Sequence, residues 1–144
     1  MIKVVFFDIG NTLASRKPDG SLDVLPGTVG LLECVRSVLG LRIGAISNIR
    51  PKLTPQELRQ LLSDAKLLSY FEDALIVTDG DGVPPKPDRQ VYLIAAKRAG
   101  VPAEDCLYIG EDAGEVNGAL AAGMGAILKP FPVPRSFGLR TAFI

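Results

Sequence analysis

The chain contains no histidine among its 144 residues. This absence excludes Ser-His-Asp and Cys-His catalysis, zinc sites with histidine ligands, and histidine as a general base. Any chemistry must therefore depend on carboxylates, lysine, hydroxyl groups, thiols, or a metal ion held by oxygen atoms.

Other features are scarce as well. The 16 basic residues are balanced by 16 acidic ones, so no excess of positive charge points to nucleic acid or to a membrane surface. No apolar stretch approaches the roughly 20 residues that span a bilayer. Because Met1-Ile2-Lys3 leads directly into a strand pattern, we expect no signal peptide. Cys34 and Cys106 lie in separate apolar segments, and we expect both to be buried and reduced, as in a cytoplasmic protein.

Apolar residues make up 47 % of the chain, enough for a substantial core, and their spacing alternates between strand-like and helix-like. This alternation predicts an α/β fold, a three-layer sandwich in which helices cover both faces of a five-stranded parallel sheet. The predicted strands are 3–7, 41–46, 74–77, 106–109 and 125–128, and the predicted helices are 26–39, 54–68, 88–99 and 115–122.

Residues 130–144 have a different character, because Pro130, Pro132 and Pro134 recur at every second position. Proline lacks the N–H group that a central strand needs, so we expect an extended, polyproline-like tail. The chain is thus predicted to be a single domain, 1–144, with a core of 1–129 and a tail of 130–144.

Asp8 directly follows the first predicted strand and precedes a turn that contains Gly10. It should lie at the carboxyl edge of the sheet, where open α/β folds bind ligands. An unpaired buried carboxylate is costly, so Asp8 should be paired or metal-bound. A role as a turn or helix-cap residue is the ordinary alternative.

Three more polar clusters follow predicted strands, and a parallel sheet brings them to the same edge. A carboxylate can attack phosphorus, while lysine and hydroxyl groups balance the charge on the phosphate oxygens. Carboxylates are also suitable ligands for Mg²⁺. Each cluster alone has an ordinary explanation as a cap, a turn or a solvated loop, but together they predict a phosphoryl-transfer site. The clusters are Ser47-Asn48, Lys86-Pro87, and Gly110-Glu111-Asp112 with Glu115.

The chain resembles the haloacid dehalogenase-like (HAD) hydrolase superfamily over about residues 1–129. The motifs that carry the resemblance are FFDIGNTL (6–13), AISN (45–48), KPDRQVYLIAAKRAGVPAEDCLYIGE (86–111) and AAGM (121–124). The resemblance implies a Mg²⁺-dependent phosphatase that forms an aspartyl-phosphate intermediate. It also implies a strand order of 5-4-1-2-3, with the five predicted strands numbered along the chain.

The resemblance further implies roles for individual residues. The catalytic residues are Asp8 and Lys86. The substrate-binding residues are Thr12, Ser47, Asn48 and Lys86. The Mg²⁺ ligands are Asp8, the carbonyl of Gly10, Glu111 and Asp112, with Glu115 as a further acid of the fourth motif.

Two departures from the usual family pattern affect the expected activity. The family's second aspartate, which protonates the leaving group, is replaced by Gly10, and general acid–base help is worth about 10²–10⁴ in rate. Glu111 and Glu115 stand where aspartates are usual, and Mg²⁺ tolerates little deviation from octahedral geometry. We therefore keep a second hypothesis open, a degenerate relative that binds metal, phosphate or a partner without efficient turnover.

The segments between Asp8, Ser47 and Lys86 are too short to hold the cap domain of most relatives, so a capless member is expected. An open site of this kind is associated with large phosphorylated substrates or with homo-oligomers in which a neighbour forms the lid. The candidate specificity loops are Ala14–Leu25 and Thr78–Pro85. Basic residues near an anionic substrate, or simply solvated, are Arg16, Lys17, Arg50 and Lys52.

Three other classes fit less well. Dehalogenases of the superfamily enclose their substrate in a capped apolar pocket. Response-regulator receivers have their acidic cluster after the first strand and their phosphoacceptor after the third, which is the reverse of the order here. A Rossmann dinucleotide binder would need a Gly-x-Gly-x-x-Gly turn after the first strand, and this chain has none.

Overall fold

The computed structural model describes residues 1–131, and its centre is a five-stranded parallel sheet. The predicted α/β class is confirmed. The strands of this sheet are β1 (Val4–Phe7), β4 (Arg42–Ser47), β5 (Ile76–Thr78), β6 (Cys106–Gly110) and β7 (Gly125–Leu128). A separate antiparallel hairpin consists of β2 (Ala14–Arg16) and β3 (Leu22–Val24).

The order of strands in the large sheet is β5-β4-β1-β6-β7. Read from the opposite edge, this order matches the predicted order 5-4-1-2-3. The strand numbers differ only because the hairpin adds two strands between the first and second predicted strands. β1 is central, and Phe7 is in register with Ala45 of β4 and Ile109 of β6. Asp8 therefore leaves the sheet between the ends of β4 and β6, where ligands bind in open α/β sheets.

Helices cover both faces of the sheet, since successive side chains of a strand point to opposite sides. Val5 and Phe7 belong to the core beneath α1 (Thr28–Glu33) and α2 (Pro55–Asp64). Val4 and Phe6 belong to the core beneath α3 (Arg89–Ala99) and α4 (Ala113–Ala121). β1 is buried on both faces, which explains its continuous apolar sequence.

The helix starts follow from capping residues in the sequence. α2 begins with a capping box, in which Glu57 N donates to Thr54 Oγ1 over 3.1 Å and Thr54 N donates to Glu57 Oε1 over 3.0 Å. Asp88 accepts from Gln90 N at the start of α3, and Asp112 accepts from Glu115 N at the start of α4.

The sequence analysis expected no strand between the first predicted strand and the first predicted helix, and this is wrong, because β2 lies there and pairs with β3. Each of these strands has three residues, and Ser15 and Arg16 are polar, so the alternation of apolar and polar residues is too short to recognise.

The predicted helix 26–39 also differs from the structure. Thr28, rather than Val29, faces the core, since its hydroxyl donates to Leu13 O over 2.7 Å. α1 changes to a π-helix at Cys34–Val38, so helical spacing no longer places Leu39 on the buried face, and both Val29 and Leu39 are exposed.

Cys106 is buried as predicted, but Cys34 is exposed at the start of the π-helical segment. The predicted second helix ends at Asp64 rather than Leu68. Apart from Pro130 and Phe131, the predicted tail lies outside the described residues. No helix within residues 1–131 has the length and apolar character needed to cross a membrane.

Candidate functional site

The sequence-predicted residues converge at the carboxyl edge of the sheet. Asp8 follows β1, Ser47 ends β4, and Glu111 follows β6, while Lys86 lies in the loop that precedes α3. All four line one cavity of about 270 Å³, together with Gly10, Asn48 and Glu115. The topology of the parallel sheet therefore brings these chain-distant groups together, as the sequence predicted.

Asp8 is buried, with 8 % of its surface exposed, and both of its carboxylate oxygens have partners. Lys86 Nζ donates to Asp8 Oδ1 over 2.8 Å, and Thr12 Oγ1 donates to Oδ2 over 3.0 Å. These contacts compensate for the burial of the charge and fix the orientation of the carboxylate. Thr12 is fully buried and does not line the cavity, so its hydroxyl supports Asp8 rather than facing a substrate.

Lys86 is the organising cation of the site, with 1 % of its side chain exposed. Its ammonium group has three oxygen partners, Asp8 and Tyr108 through hydrogen bonds and Glu115 through an ion pair. The partner atoms are Asp8 Oδ1 at 2.8 Å, Glu115 Oε1 at 2.8 Å and the Tyr108 hydroxyl at 3.0 Å. The predicted catalytic lysine is thus held between two carboxylates. Glu115 helps to position Lys86, which in turn orients Asp8.

Tyr108 is a member of this network that the sequence analysis missed. Its ring is fully buried under the site, and its hydroxyl also donates to Glu115 Oε1 over 3.2 Å. Burial, and next the negative charges of Asp8 and Glu115, raise the pKa of Tyr108 well above its usual value, so the phenol stays protonated. Gly110 makes room for it, since a Cβ atom there would lie 2.8 Å from the Tyr108 hydroxyl. In an apolar strand, a tyrosine is expected to be an ordinary core residue. The only sequence feature that could have connected Tyr108 with the site is its position two residues before Gly110.

Asn48 fixes the backbone at Lys86. Its Nδ2 donates to Lys86 O over 3.0 Å, and its Oδ1 accepts from Lys86 N over 2.9 Å. The side chain was predicted to bind substrate, but its amide is already occupied in holding Lys86. Asp79 stabilises the loop after β4, since its Oδ1 accepts hydrogen bonds from Ile49 N and Arg50 N.

Gly10 lies at the mouth of the cavity and forms an isolated bridge with Ala14. A Cβ atom built on Gly10 would meet no other atom within 4 Å. Gly10 is the position at which the usual family motif has its second aspartate. The space beside it is open, so a side chain would fit there.

The acidic residues after β6 separate into two groups. Glu111 lines the cavity, and burial together with the nearby charges of Asp8, Asp112 and Glu115 raises its pKa. Asp112 does not line the cavity, because its Oδ1 accepts from Glu115 N as the cap of α4. The sequence analysis did not separate the metal and capping roles of these neighbouring acids.

The donor set suits Mg²⁺ in chemistry. Within residues 1–131 no group of three or more His, Cys, Asp and Glu side chains is arranged to hold a metal ion. Mg²⁺ commonly uses one or two carboxylates and keeps several waters. Asp8, Glu111 and the Gly10 carbonyl are hard oxygen donors of this kind on one cavity. The pKa of Glu111 is raised first by burial and next by the neighbouring carboxylates, whose repulsion a cation would relieve.

The rest of the cavity wall comes from the hairpin, the loop after β4, and α2. Ala14, Arg16 and Leu22 contribute from the hairpin, so the first candidate specificity loop is at the cavity. No residue of the second, Thr78–Pro85, lines it. Of the four basic residues singled out, Arg16 and Lys52 line the cavity and Lys17 and Arg50 do not.

Comparison with curated proteins finds similar sequences among phosphatases. Phosphoglycolate phosphatase 1 of Pseudomonas aeruginosa is 33 % identical over 103 residues, which cover 71 % of this chain and 35 % of that protein. Phosphoglycolate phosphatase of Nitrosospira multiformis is 32 % identical over 107 residues, 74 % of this chain and 44 % of that protein. The chain thus spans less than half the length of these curated relatives.

Solved structures share the fold. The crystal structure of a HAD phosphatase from Thermococcus onnurineus superimposes with a TM-score of 0.73 at 21 % identity, covering 95 % of this chain and 90 % of that one. The family model of haloacid dehalogenase-like hydrolases matches residues 17–123. The chain therefore belongs to the haloacid dehalogenase-like hydrolase family.

Proposed function

We propose that the protein is a Mg²⁺-dependent phosphatase that hydrolyses phosphoric monoesters through an aspartyl-phosphate on Asp8, in the cytoplasm. The observation that carries the proposal is the pairing of a buried carboxylate, Asp8, with a buried ammonium, Lys86, over 2.8 Å at the edge of a cavity. Such a pair, in a cleft where strand ends meet, makes Asp8 the candidate nucleophile of the site.

In the first step an oxygen of Asp8 attacks phosphorus, the bond from phosphorus to the ester oxygen breaks, and an alcohol leaves. Asp8 needs no activation by a base, because it acts as the carboxylate. Lys86 keeps it oriented, and Ser47, which lines the cavity, would donate its hydroxyl to a phosphate oxygen.

In the second step a water oxygen attacks phosphorus, the bond from phosphorus to the Asp8 oxygen breaks, inorganic phosphate leaves with the protons of that water, and the Asp8 carboxylate is restored. For the first step, Gly10 has no side chain that could protonate the leaving alkoxide, so we expect solvent to supply that proton. Esters of acidic alcohols, such as p-nitrophenyl phosphate, should therefore react fastest.

Mg²⁺ would be held by Asp8, the Gly10 carbonyl and Glu111, and would neutralise charge on the phosphate oxygens. With Asp112 engaged in capping α4, we place it outside this ligand set. Glu111→Gln should raise the Mg²⁺ concentration needed for half-maximal hydrolysis, and magnesium titration of the rate measures this.

The test of the function is Mg²⁺-dependent hydrolysis of p-nitrophenyl phosphate by the wild type and by Asp8→Asn. We expect hydrolysis to fall to background in Asp8→Asn, because an amide cannot form the acyl phosphate. Asp23→Asn is the matched control, an exposed carboxylate of β3 outside the cavity, and should hydrolyse like the wild type. Equal rates for the wild type and Asp8→Asn would exclude the nucleophile role.

A second candidate is a domain that binds phosphate or a partner without efficient turnover. Gly10 favours this candidate, since the aspartate that the usual family motif has for proton transfer is missing at that position. Binding of inorganic phosphate in the presence of Mg²⁺, measured by calorimetry, without hydrolysis of p-nitrophenyl phosphate, is the result that this candidate predicts.

A further inference from the structure

Two cations at the cavity remain without a partner. Arg16 on β2 and Lys52 in the loop after β4 both line the cavity and are exposed. Within residues 1–131 neither side chain forms an ion pair or a hydrogen bond. Lys86, the third cation of the lining, is already neutralised by Asp8 and Glu115. The lining therefore has unpaired positive charge away from the nucleophile.

Two acids close to Arg16 are engaged elsewhere. Glu57 and Asp19 border a shallow groove that also includes Arg16. Glu57 Oε1 accepts from Thr54 N in the capping box of α2. Asp19 Oδ1 accepts from the backbone N and the hydroxyl of Ser21 in the turn of the hairpin. Local capping and turn geometry thus keep both carboxylates from Arg16, whose charge remains available to a ligand.

The position of Arg16 gives an approximate distance from the site of chemistry. Ala14 bridges to Gly10 at the cavity mouth, and Arg16 lies two residues further along β2. A strand rises about 3.3 Å per residue, so the Cα atoms of Ala14 and Arg16 are about 7 Å apart. Leu22 and Leu53 line the wall between the hairpin and the loop. An anion bound by Arg16 and Lys52 would therefore lie at the hairpin side of the same cavity of about 270 Å³ that Asp8 lines.

We propose that the substrate is a small phosphomonoester with a second anionic group, a carboxylate or a phosphate, that Arg16 and Lys52 bind while its short carbon chain contacts Leu22 and Leu53. This inference rests on the proposed phosphatase function and names its substrate class. The cavity of about 270 Å³ favours a compact substrate over the large one that an open site suggested.

The test compares esters that share a three-carbon scaffold. Glycerol 3-phosphate has an uncharged end, 3-phosphoglycerate has a carboxylate, and glycerol 1,3-bisphosphate has a second phosphate. We expect kcat/KM of the wild type to favour the charged esters over glycerol 3-phosphate by about tenfold at low salt, as for charge-assisted contacts at a partly exposed site. The relative values for the two charged esters identify the preferred anion.

Variants assign the preference to the two cations. In Arg16→Gln/Lys52→Gln the ratio of kcat/KM between charged and uncharged esters should fall to about one, through KM rather than kcat. Lys17→Gln and Arg50→Gln are matched controls that remove neighbouring exposed cations outside the cavity, and they should keep the ratio of the wild type. A ratio near one in the wild type, or one that survives in the double variant, would overturn the inference.

A binding experiment separates failure of the inference from failure of the function. Asp8→Asn is titrated with 3-phosphoglycerate and with glycerol 3-phosphate by calorimetry. Tighter binding of 3-phosphoglycerate, lost on adding Arg16→Gln/Lys52→Gln, supports the anion subsite even if the wild type hydrolyses neither ester. Equal affinities in Asp8→Asn overturn it even if p-nitrophenyl phosphate is hydrolysed in an Asp8-dependent way.

Discussion

The hydroxyl of Tyr108 accepts a hydrogen bond from Lys86 Nζ over 3.0 Å, from beneath the candidate nucleophile. The same hydroxyl donates to Glu115 Oε1, so its proton and one of its two lone pairs are used. This arrangement gives Lys86 a second hydrogen-bond acceptor besides Asp8, in addition to its ion pair with Glu115. Lys86 is therefore positioned by the strand beneath it as well as by its two carboxylate partners.

We predict that Tyr108→Phe lowers both stability and turnover. The ring remains, but a proton of the buried Lys86 ammonium loses its acceptor, which costs about 1–3 kcal/mol. Urea unfolding and the rate of p-nitrophenyl phosphate hydrolysis measure the two effects, and kcat should fall more than KM changes.

Tyr92→Phe is the matched control for Tyr108→Phe. It removes another buried tyrosine hydroxyl, which donates to the backbone oxygen of Glu115 over 2.6 Å and does not contact Lys86. It should reduce stability with little effect on turnover. If the two variants lose turnover equally, the loss reflects general loosening of the core, and Tyr108 has no separate positioning role.

We predict that Gly10→Asp increases turnover of esters with poor leaving groups. The structure has room for the side chain, since nothing lies within 4 Å of a Cβ atom at Gly10. An aspartate there could protonate the leaving oxygen, and such help is worth about 10²–10⁴ in rate. Glycerol 3-phosphate should gain much more than p-nitrophenyl phosphate, whose leaving group needs no proton.

Gly10→Asn tests whether the gain of Gly10→Asp comes from proton transfer. Asparagine has nearly the same size as aspartate but cannot exchange a proton at neutral pH. It should leave the hydrolysis of glycerol 3-phosphate near the level of the wild type. A similar gain in both variants would attribute the effect to packing or to hydrogen bonding.

The convergence of Asp8, Ser47, Lys86 and Glu111 was predictable because a parallel sheet carries all its strand ends to one edge. The alternation of apolar runs and helical segments is enough to establish that topology, including the strand order once the family resemblance is added. The wall made by the hairpin was not predictable, since β2 and β3 are too short to show a period.

The roles of individual side chains depend on contacts that the sequence does not encode locally. Asn48 and Lys86 are 38 residues apart, and only the fold shows that the amide of Asn48 is occupied by the Lys86 backbone. Asp112 and Glu111 are adjacent, yet one caps a helix and the other lines the cavity. Tyr108 could not be distinguished from core residues, because its polar end meets the site only after folding.

Gly118 of α4 packs closely against the loop before α3 that contains Lys86. A Cβ atom there would lie 2.6 Å from the carbonyl oxygen of Pro87, which directly follows Lys86. A backbone atom cannot rotate away, so Gly118→Ala must displace α4 or the loop that holds Lys86. We predict a loss of about 1–3 kcal/mol in stability, as for an overpacked core, and a loss of turnover.

Gly30→Ala is the control for Gly118→Ala, because Gly30 also lies within a helix and a Cβ atom there meets nothing within 4 Å. It should stabilise the protein by about 0.5–1 kcal/mol through helix propensity, with turnover unchanged. Thermal unfolding and p-nitrophenyl phosphate hydrolysis report both quantities. A Gly118→Ala protein as stable and active as Gly30→Ala would show that the contact with Pro87 is readily relieved.

The two cysteines should differ sharply in reactivity. Cys34 is exposed, whereas Cys106 is buried, and burial, followed by the charge of Asp105, raises the pKa of the Cys106 thiol to about 11. Because the thiolate is the reactive form, a disulfide reagent should modify one thiol of the native protein between about pH 8 and pH 9, and two thiols in denaturant. Cys34→Ser should leave no reactive thiol in the native state.

The raised pKa of Cys106 also predicts the direction of a stability change. The folded state keeps the proton that the unfolded state loses above its lower pKa. The stabilisation is therefore complete below about pH 9 and is lost as the pH rises towards 11. Urea unfolding of the wild type should show a decline on the order of 2 kcal/mol across this range that Cys106→Ala lacks. Parallel declines in the two proteins would assign the alkaline loss of stability to other groups.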